Sequence, residues 1–258
     1  MTKKKICFST ITRSPHYLIM ANFLINSCKK FHPDIPFVHI NEYMVETILK
    51  EKNIKVQLLL PFVGEMLSEQ YDLVVHFDAD SIVTGKLTEL IEEEYDVASV
   101  KNNNVFLQGG MCVPGFSRIN KLTGKEISIE NYCNAGLHAC RNIDFWKEWQ
   151  KCNLEYHDEC KLGEQDTMND VFYSGKYNAL VLDTFDKPYY YGVANSWGQE
   201  SHYTSWKEIM LKDDLLYLYK KQIKVLHAAG GDSTEVKFKF DEMFKPDVAK
   251  WLKGKTRY

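Results

Sequence analysis

The chain has 258 residues, of which 45% are hydrophobic and 26% charged, and a formal net charge of −3. This is an ordinary globular composition, long enough for one large α/β domain with a substantial core. The charge leaves no electrostatic case for a polyanion, so no nucleic acid partner is expected, and the longest apolar stretch, Leu18 to Ile25 with Asn22 inside it, is far too short for a membrane span.

The N-terminus is basic through Lys3, Lys4 and Lys5, but Ser9, Thr10, Thr12 and Arg13 interrupt any apolar leader core, so a cytoplasmic protein made without a signal is expected. Lys5 to Ile11 reads as a first strand. Ser14-Pro15 then opens a helix to Phe31, with Tyr17, Ala21, Leu24, Cys28 and Phe31 on one face. Pro33 and Pro36 end it, and Phe37 to Ile40 is a second strand. Tyr43 to Lys52 reads as a short helix, Ile54 to Leu60 as a third strand, and Pro61 to Gln70 as a helical turn.

The next stretch, Asp72-Leu-Val-Val-His-Phe-Asp78-Ala79-Asp80, carries the chemistry. An apolar run of strand length, Leu73 to Phe77, ends in two carboxylates separated by one small residue. Side chains two apart on a strand point the same way, so Asp78 and Asp80 can converge on one site while Ala79 keeps the space open. In an open α/β sheet, ligands bind beyond the carboxyl ends of the strands, and paired acids there fit a hard divalent cation carrying phosphate oxygens. The plainer reading is a turn whose aspartates cap the following helix.

Lys86 to Glu94 reads as an acidic helix and Tyr95 to Val100 as a strand, followed by a loop-rich tract from Lys101 to Glu130. Tyr132 to Arg141 reads as a strand interrupted at Asn134-Ala135-Gly136, where a glycine suits a bulge or close approach by a ligand. Asn142 caps a helix bearing Phe145, Trp146 and Trp149. Gly163-Glu164-Gln165-Asp166 opens another, with Gly175 as its candidate C-cap. Ala179 to Leu182 is a strand, and Pro188 to Trp206 is an aromatic loop that serves either as core or as a saccharide-stacking surface. Lys224 to Leu226 is a last strand, ending in His227-Ala-Ala-Gly230-Gly231 before a helical tail.

The alternation of strands and helices predicts a mostly parallel sheet flanked by helices. Its ligand edge should gather Ser9 to Thr12, Asn41 and Asp78-Ala79-Asp80. The absence of a glycine-rich turn after the first strand argues against a dinucleotide or Walker loop. Seven cysteines, an odd number, are expected as reduced thiols. A zinc site among Cys133, His138, Cys140, Cys152, His157 and Cys160 matches no common spacing.

Taken in order, the threonines at the end of the first strand and Tyr17, Asp78-Ala79-Asp80, Asn134-Ala135-Gly136, Glu164-Gln165-Asp166 and the late His-x-x-Gly at His227 resemble the glycogenin and lipopolysaccharide galactosyltransferase family, glycosyltransferase family 8. The resemblance spans roughly residues 5 to 231. It is strongest from Tyr71 to Leu90. It implies a Rossmann-like GT-A fold in a single domain over 1–258, with a nucleotide-binding half at about 1–100 and a sugar and acceptor half at about 101–258. The implied reaction moves a sugar from a UDP-sugar to a hydroxyl acceptor with retention of configuration.

The resemblance also implies site roles. Asp78, Asp80 and His227 would hold Mn²⁺ or Mg²⁺. Ser9, Thr10, Ile11, Thr12, Tyr17, Asp78, Ala79 and Gly230 would meet the nucleotide, with Tyr17 stacking on uracil. Asn134, Ala135 and Gly136 would line the sugar pocket, and Glu164, Gln165 and Asp166 would act at the reacting carbon. Two features depart from the family pattern: the lysine that follows the late His-x-x-Gly is missing, and no basic residue lies within Glu65 to Gln70. Two competing readings are a haloacid dehalogenase-like phosphatase with Asp78 as nucleophile, and a nucleotide-sugar-binding protein without turnover.

Overall fold

The structure is a computed structural model that describes residues 4–101, 120–127, 131–160, 162–182, 190–192, 206–218, 221–228 and 239–257. Gly230, Cys112 and most of the aromatic stretch from Pro188 to Trp206 lie outside these residues.

The first strands and helices follow the expected alternation: β1 (Ile6–Ile11), α1 (His16–Phe31), β2 (Phe37–Ile40), α2 (Glu42–Lys52), α3 (Leu59–Ser68) and β3 (Leu73–Phe77). The expected strand from Ile54 to Leu60 is absent. A 3-10 turn at Val56–Leu58 leads directly into α3. Leu59, Leu60, Val63 and Leu67 are all buried at helical spacing, and Pro61 sits in the first turn, where its missing N–H leaves no bond unmade. A short apolar run is ambiguous between strand and helix by pattern alone. Gly64 lets α3 approach its neighbour, since an added Cβ would lie 2.4 Å from the Trp146 ring.

The chain continues as β4 (Ser81–Val83), α4 (Thr88–Glu92), β5 (Val97–Lys101), β6 (Cys133–Cys140), α5 (Ile143–Tyr156), α6 (Glu164–Phe172) and β7 (Ala179–Leu182). α4 is shorter than the acidic run implied. β6 is continuous, and it bulges against β5 where the sequence expects: the partners of the adjacent Ser99 and Val100 are His138 and Asn134, which leaves Ala135, Gly136 and Leu137 of β6 as the extra residues. Asn142 caps α5 through its side chain, which accepts a hydrogen bond from the Asp144 N–H at 3.0 Å. The remaining elements are β8 (Tyr190–Gly192), β9 (Met210–Lys212), β10 (Leu215–Leu218), β11 (Lys221–Ile223), β12 (Val225–His227), α7 (Phe240–Met243) and α8 (Pro246–Thr256).

The central sheet has the order β2-β1-β3-β6-β5-β7, in which only β6 runs against its neighbours. It is a mixed but mostly parallel sheet with helices on both faces. β3 is buried on both faces, and its side chains alternate between them. Leu73, Val75 and Phe77 pack with Leu24 and Cys28 of α1, while Val74 packs with Trp146 and Trp149 of α5 on the other face. Two small sheets, β4-β12-β8 and β11-β10-β9, extend the fold beyond β3. Among the described residues, the cysteines are free thiols, and all but Cys160 are buried. Burial pushes the Cys133 thiol up to about 12, so it behaves as a small apolar side chain.

Three imidazoles, the buried His76 and His138 and the half-buried His32, make the fold acid-sensitive. His32 accepts a hydrogen bond from the Leu87 N–H at 3.0 Å, which only a neutral ring can do. His76 and His138 face each other across β3 and β6, with ring centroids 5.1 Å apart. Burial, then nearby positive charge, lowers His32 to about 4; burial, then the His138 charge, lowers His76 to about 3. Burial lowers His138 to about 4, against the raising pull of its hydrogen bond to the Ala135 carbonyl. Each folded value lies below the unfolded one near ~6.5, so the unfolded chain takes up these protons first as pH falls. Their contribution to stability is complete above that value and is lost progressively toward pH 4. Thermal melts at pH 7.5 and pH 5 should show a lower midpoint at pH 5; a midpoint unchanged by acid would contradict this.

Candidate functional site

Asp78 and Asp80 follow β3 at the carboxyl edge of the sheet, in a turn closed by the Ser81 N–H donating to the Asp78 carbonyl at 3.1 Å. β4 then leaves this turn and pairs antiparallel with β12, setting His227 opposite Ser81. The Ala228 N–H donates to the Asp80 carbonyl at 3.0 Å and locks the two strands together at that point. As a result His227 Nε2 lies 3.0 Å from Asp80 Oδ1 and 3.4 Å from Asp78 Oδ2.

Each of these three side chains offers one ligand atom, and the atoms lie within 4.8 Å of one another. Among the described residues this is the set of His, Cys, Asp or Glu side chains placed to share an ion. The Cys133 to Cys160 region forms no such set among the described residues. Two carboxylate oxygens and one imidazole suit a hard or borderline divalent ion with ligand distances of about 2.0–2.5 Å. Asp80 and His227 are buried, whereas the Asp78 side chain is 47% exposed.

The electrostatics match a site built for a cation. Burial pulls His227 down, but the Asp80 charge and the hydrogen bonds to both carboxylates outweigh it and raise the ring to about 9. Burial alone would raise Asp78; the hydrogen bond and charge of His227 overcome this and hold the carboxyl below its usual range. The proton on Nε2 thus occupies the position between the acids that an ion would take. A divalent ion must displace it, so apparent affinity should rise about tenfold per pH unit below pH 9. Calorimetric titration of Mn²⁺ at pH 6 and pH 8 measures this, and equal affinities would speak against His227 as a ligand.

Gly136 on β6 forms the floor. Its carbonyl accepts the Asp78 N–H at 2.8 Å, and its N–H donates to Asn134 Oδ1 at 2.7 Å. A Cβ built there would lie 2.5 Å from His227 Cε1 and 2.7 Å from Asp78 Oδ2. The adjoining Ala135 N–H donates to Gln165 Oε1 at 3.1 Å, so the start of α6 is tied to the strand beneath the acids. Glu164 is half-buried, and burial raises its carboxyl, with the Asp78 charge adding and Arg13 and His157 opposing. Glu164, Asp78 and Arg13 therefore share one electrostatic neighbourhood. Asp166 is fully buried: Tyr132 Oη donates to its Oδ1 at 2.6 Å and the Leu162 N–H to its Oδ2 at 2.9 Å.

The hydroxyls of β1 are used within the fold. Thr10 Oγ1 donates to the Phe77 carbonyl at 2.8 Å, Thr12 Oγ1 pairs with His39 Nε2 at 2.8 Å, and Ser9 Oγ lies 3.4 Å from His76 Nδ1. Ile11 packs into the core, and Ala79 is buried between the two aspartates. Tyr17 stands half-buried in the first turn of α1. Sequence reasoning missed Tyr132, which belongs to no motif and is tied to the start of α6 only through its hydrogen bond to Asp166.

No protein-family model matches the sequence, and no curated protein matches it. Solved structures do. The apo structure of the bifunctional glycosyltransferase WbbM aligns at TM-score 0.52 and 16% identity, covering 90% of this chain and 47% of that one, so the chain spans about half its length. The galactosyltransferase LgtC, in complex with donor and acceptor sugar analogues, aligns at TM-score 0.51 and 13% identity over 97% of this chain and 94% of that one. An active-site mutant of LgtC aligns at 0.52 and 15% identity over 96% and 95%. At such identities the likeness is one of architecture: the chain is built on the GT-A type α/β fold of these glycosyltransferases.

Proposed function

We propose that this chain is a metal-dependent glycosyltransferase that moves a sugar from a UDP-sugar to a hydroxyl acceptor with retention of configuration. The observation that carries the reading is the convergence of Asp78, Asp80 and His227 at the sheet's ligand edge, within 4.8 Å of one another. Mn²⁺ or Mg²⁺ held there supplies Lewis-acid stabilisation of the leaving diphosphate.

The chain's own residues take the remaining roles. Tyr17 and the β1 loop face the uridine, with the Ser9, Thr10 and Thr12 hydroxyls stiffening that edge. Arg13, exposed after β1 and within electrostatic reach of Glu164, is the cation we assign to the diphosphate in place of the missing lysine. Asn134, Ala135 and Gly136 line the sugar pocket. Gln165, anchored through Ala135, presents its amide to the charge that develops at the anomeric carbon, while the departing phosphate oxygen takes the acceptor's proton. Asp166 acts as a positioning residue because both its oxygens are already bonded. If transfer inverts instead, Glu164 is the base, since burial has raised its pKa toward the working range.

A phosphatase with Asp78 as nucleophile fits less well, because that nucleophile ends the first strand of its fold and here β1 and β2 precede β3. The deciding experiment is a panel of nucleotide sugars screened for Mn²⁺-dependent release of free nucleotide, followed by the anomeric configuration of the product. Phosphate-ester hydrolysis without nucleotide-sugar turnover would replace this reading.

A further inference from the structure

α8 packs against α1, and a cleft of about 470 Å³ opens beside them. Its walls carry Lys30, Lys250, Lys253 and Arg257 against one carboxylate, Asp241, which pairs with Lys253. Among the described residues, Lys30, Lys250 and Arg257 have no ion-pair partner. Three cations without a direct ion pair repel one another, and the nearby carboxylates Asp241 and Asp247 offset them only in part, so an anion would relieve the remaining positive potential.

A second hollow of about 540 Å³ shares Lys30, Lys250 and Gly254 and adds Leu211, Trp251, Lys255, Asp214 and Asp247. Asp214 is taken up by Lys255 and by the Trp251 indole N–H, so the rings of Trp251 and the side chain of Leu211 give an apolar wall beside the cationic one, with Asp247 as the carboxylate nearest to it in the helix. Gly254 lines both. It lies inside α8, where glycine weakens a helix, and a Cβ built on it would meet nothing within 4 Å. Its missing side chain leaves the two hollows joined. The combined size is that of a small-molecule site, and Lys30, in the last turn of α1, lies about 20 Å along the helix from the sheet's ligand edge.

We propose that this cleft is a second binding site, separate from the Asp78–Asp80–His227 centre, for a phosphorylated small molecule with an apolar or planar part. The phosphate meets Lys30, Lys250 and Arg257, and the apolar part lies along Trp251. The proposal does not depend on the glycosyltransferase reading.

Calorimetry on the full chain in EDTA, with inorganic pyrophosphate and with phenyl phosphate as probes, tests it. Saturable binding of both probes is expected, tighter for phenyl phosphate than for inorganic phosphate run as a third probe, and unchanged in Asp80→Asn, which separates this site from the metal centre. Lys30→Glu and Lys250→Glu, on different helices, should each weaken binding by about tenfold or more, given the strength of charge-assisted hydrogen bonds. Gly254→Leu should abolish it with the melting temperature held. Absence of saturable binding by the wild type overturns the proposal, as does binding indifferent to both charge reversals. Binding confined to vesicles containing phosphatidylglycerol, with none to soluble phosphates, overturns it in favour of a membrane surface.

Discussion

Asp80→Asn is expected to reduce Mn²⁺-dependent donor turnover by about 10³-fold, because stabilisation of the leaving diphosphate by a bound ion supplies several kcal/mol. Asp80 is the buried acid of the pair and the nearer to His227, at 3.0 Å. Asparagine keeps its shape and one hydrogen-bonding oxygen but removes the charge that attracts the cation and keeps His227 protonated in the ion's absence. Mn²⁺ affinity should fall together with kcat, while the far-ultraviolet circular dichroism stays that of the parent. A variant that retains turnover, or one that loses turnover with Mn²⁺ affinity intact, would show that Asp80 is not holding a catalytic ion.

Gly136→Ala should be nearly as damaging without touching a charged group. The new methyl would lie 2.5 Å from His227 and 2.7 Å from Asp78, in a floor already held by the Asp78 N–H to its carbonyl and by its own N–H to Asn134 Oδ1. One of the two side chains must move, and since the His227 strand is clamped between β4 and β8, Asp78 is the one with room to swing outward. Overpacking of this kind costs about 1–3 kcal/mol of stability. A displacement near 1 Å costs about 10²-fold in rate. Steady-state kinetics beside urea unfolding separates the two effects. A Gly136→Ala protein with parental kcat would mean the floor is more compliant than its packing implies.

The strand-then-acids pattern from Leu73 to Asp80 was legible because both its signals are local: an apolar run of strand length, and carboxylates placed where a strand must end. The helix starts at Asn142 and Gly163 were legible for the same reason, since capping is settled within a few residues. The run from Ile54 to Leu60 was misread because its burial depends on what α3 and α5 place around it. The short strands β4, β9, β10 and β11 carried too few residues for a pattern to show.

His227 could be nominated from the sequence, but not its geometry. It stands 147 residues from Asp80, and only the antiparallel pairing of β4 with β12 brings the two within hydrogen-bonding distance. The burial of both Asp166 oxygens, the anchoring of Gln165 through Ala135, the nearness of Arg13 to Glu164 and the cleft between α1 and α8 are likewise products of packing between distant segments. Residue order alone decided the longer strands and helices and which acids stand at a strand's end, because those follow from interactions spanning a few residues. Which side chains share a site was left to long-range strand pairing, whose register no local pattern records.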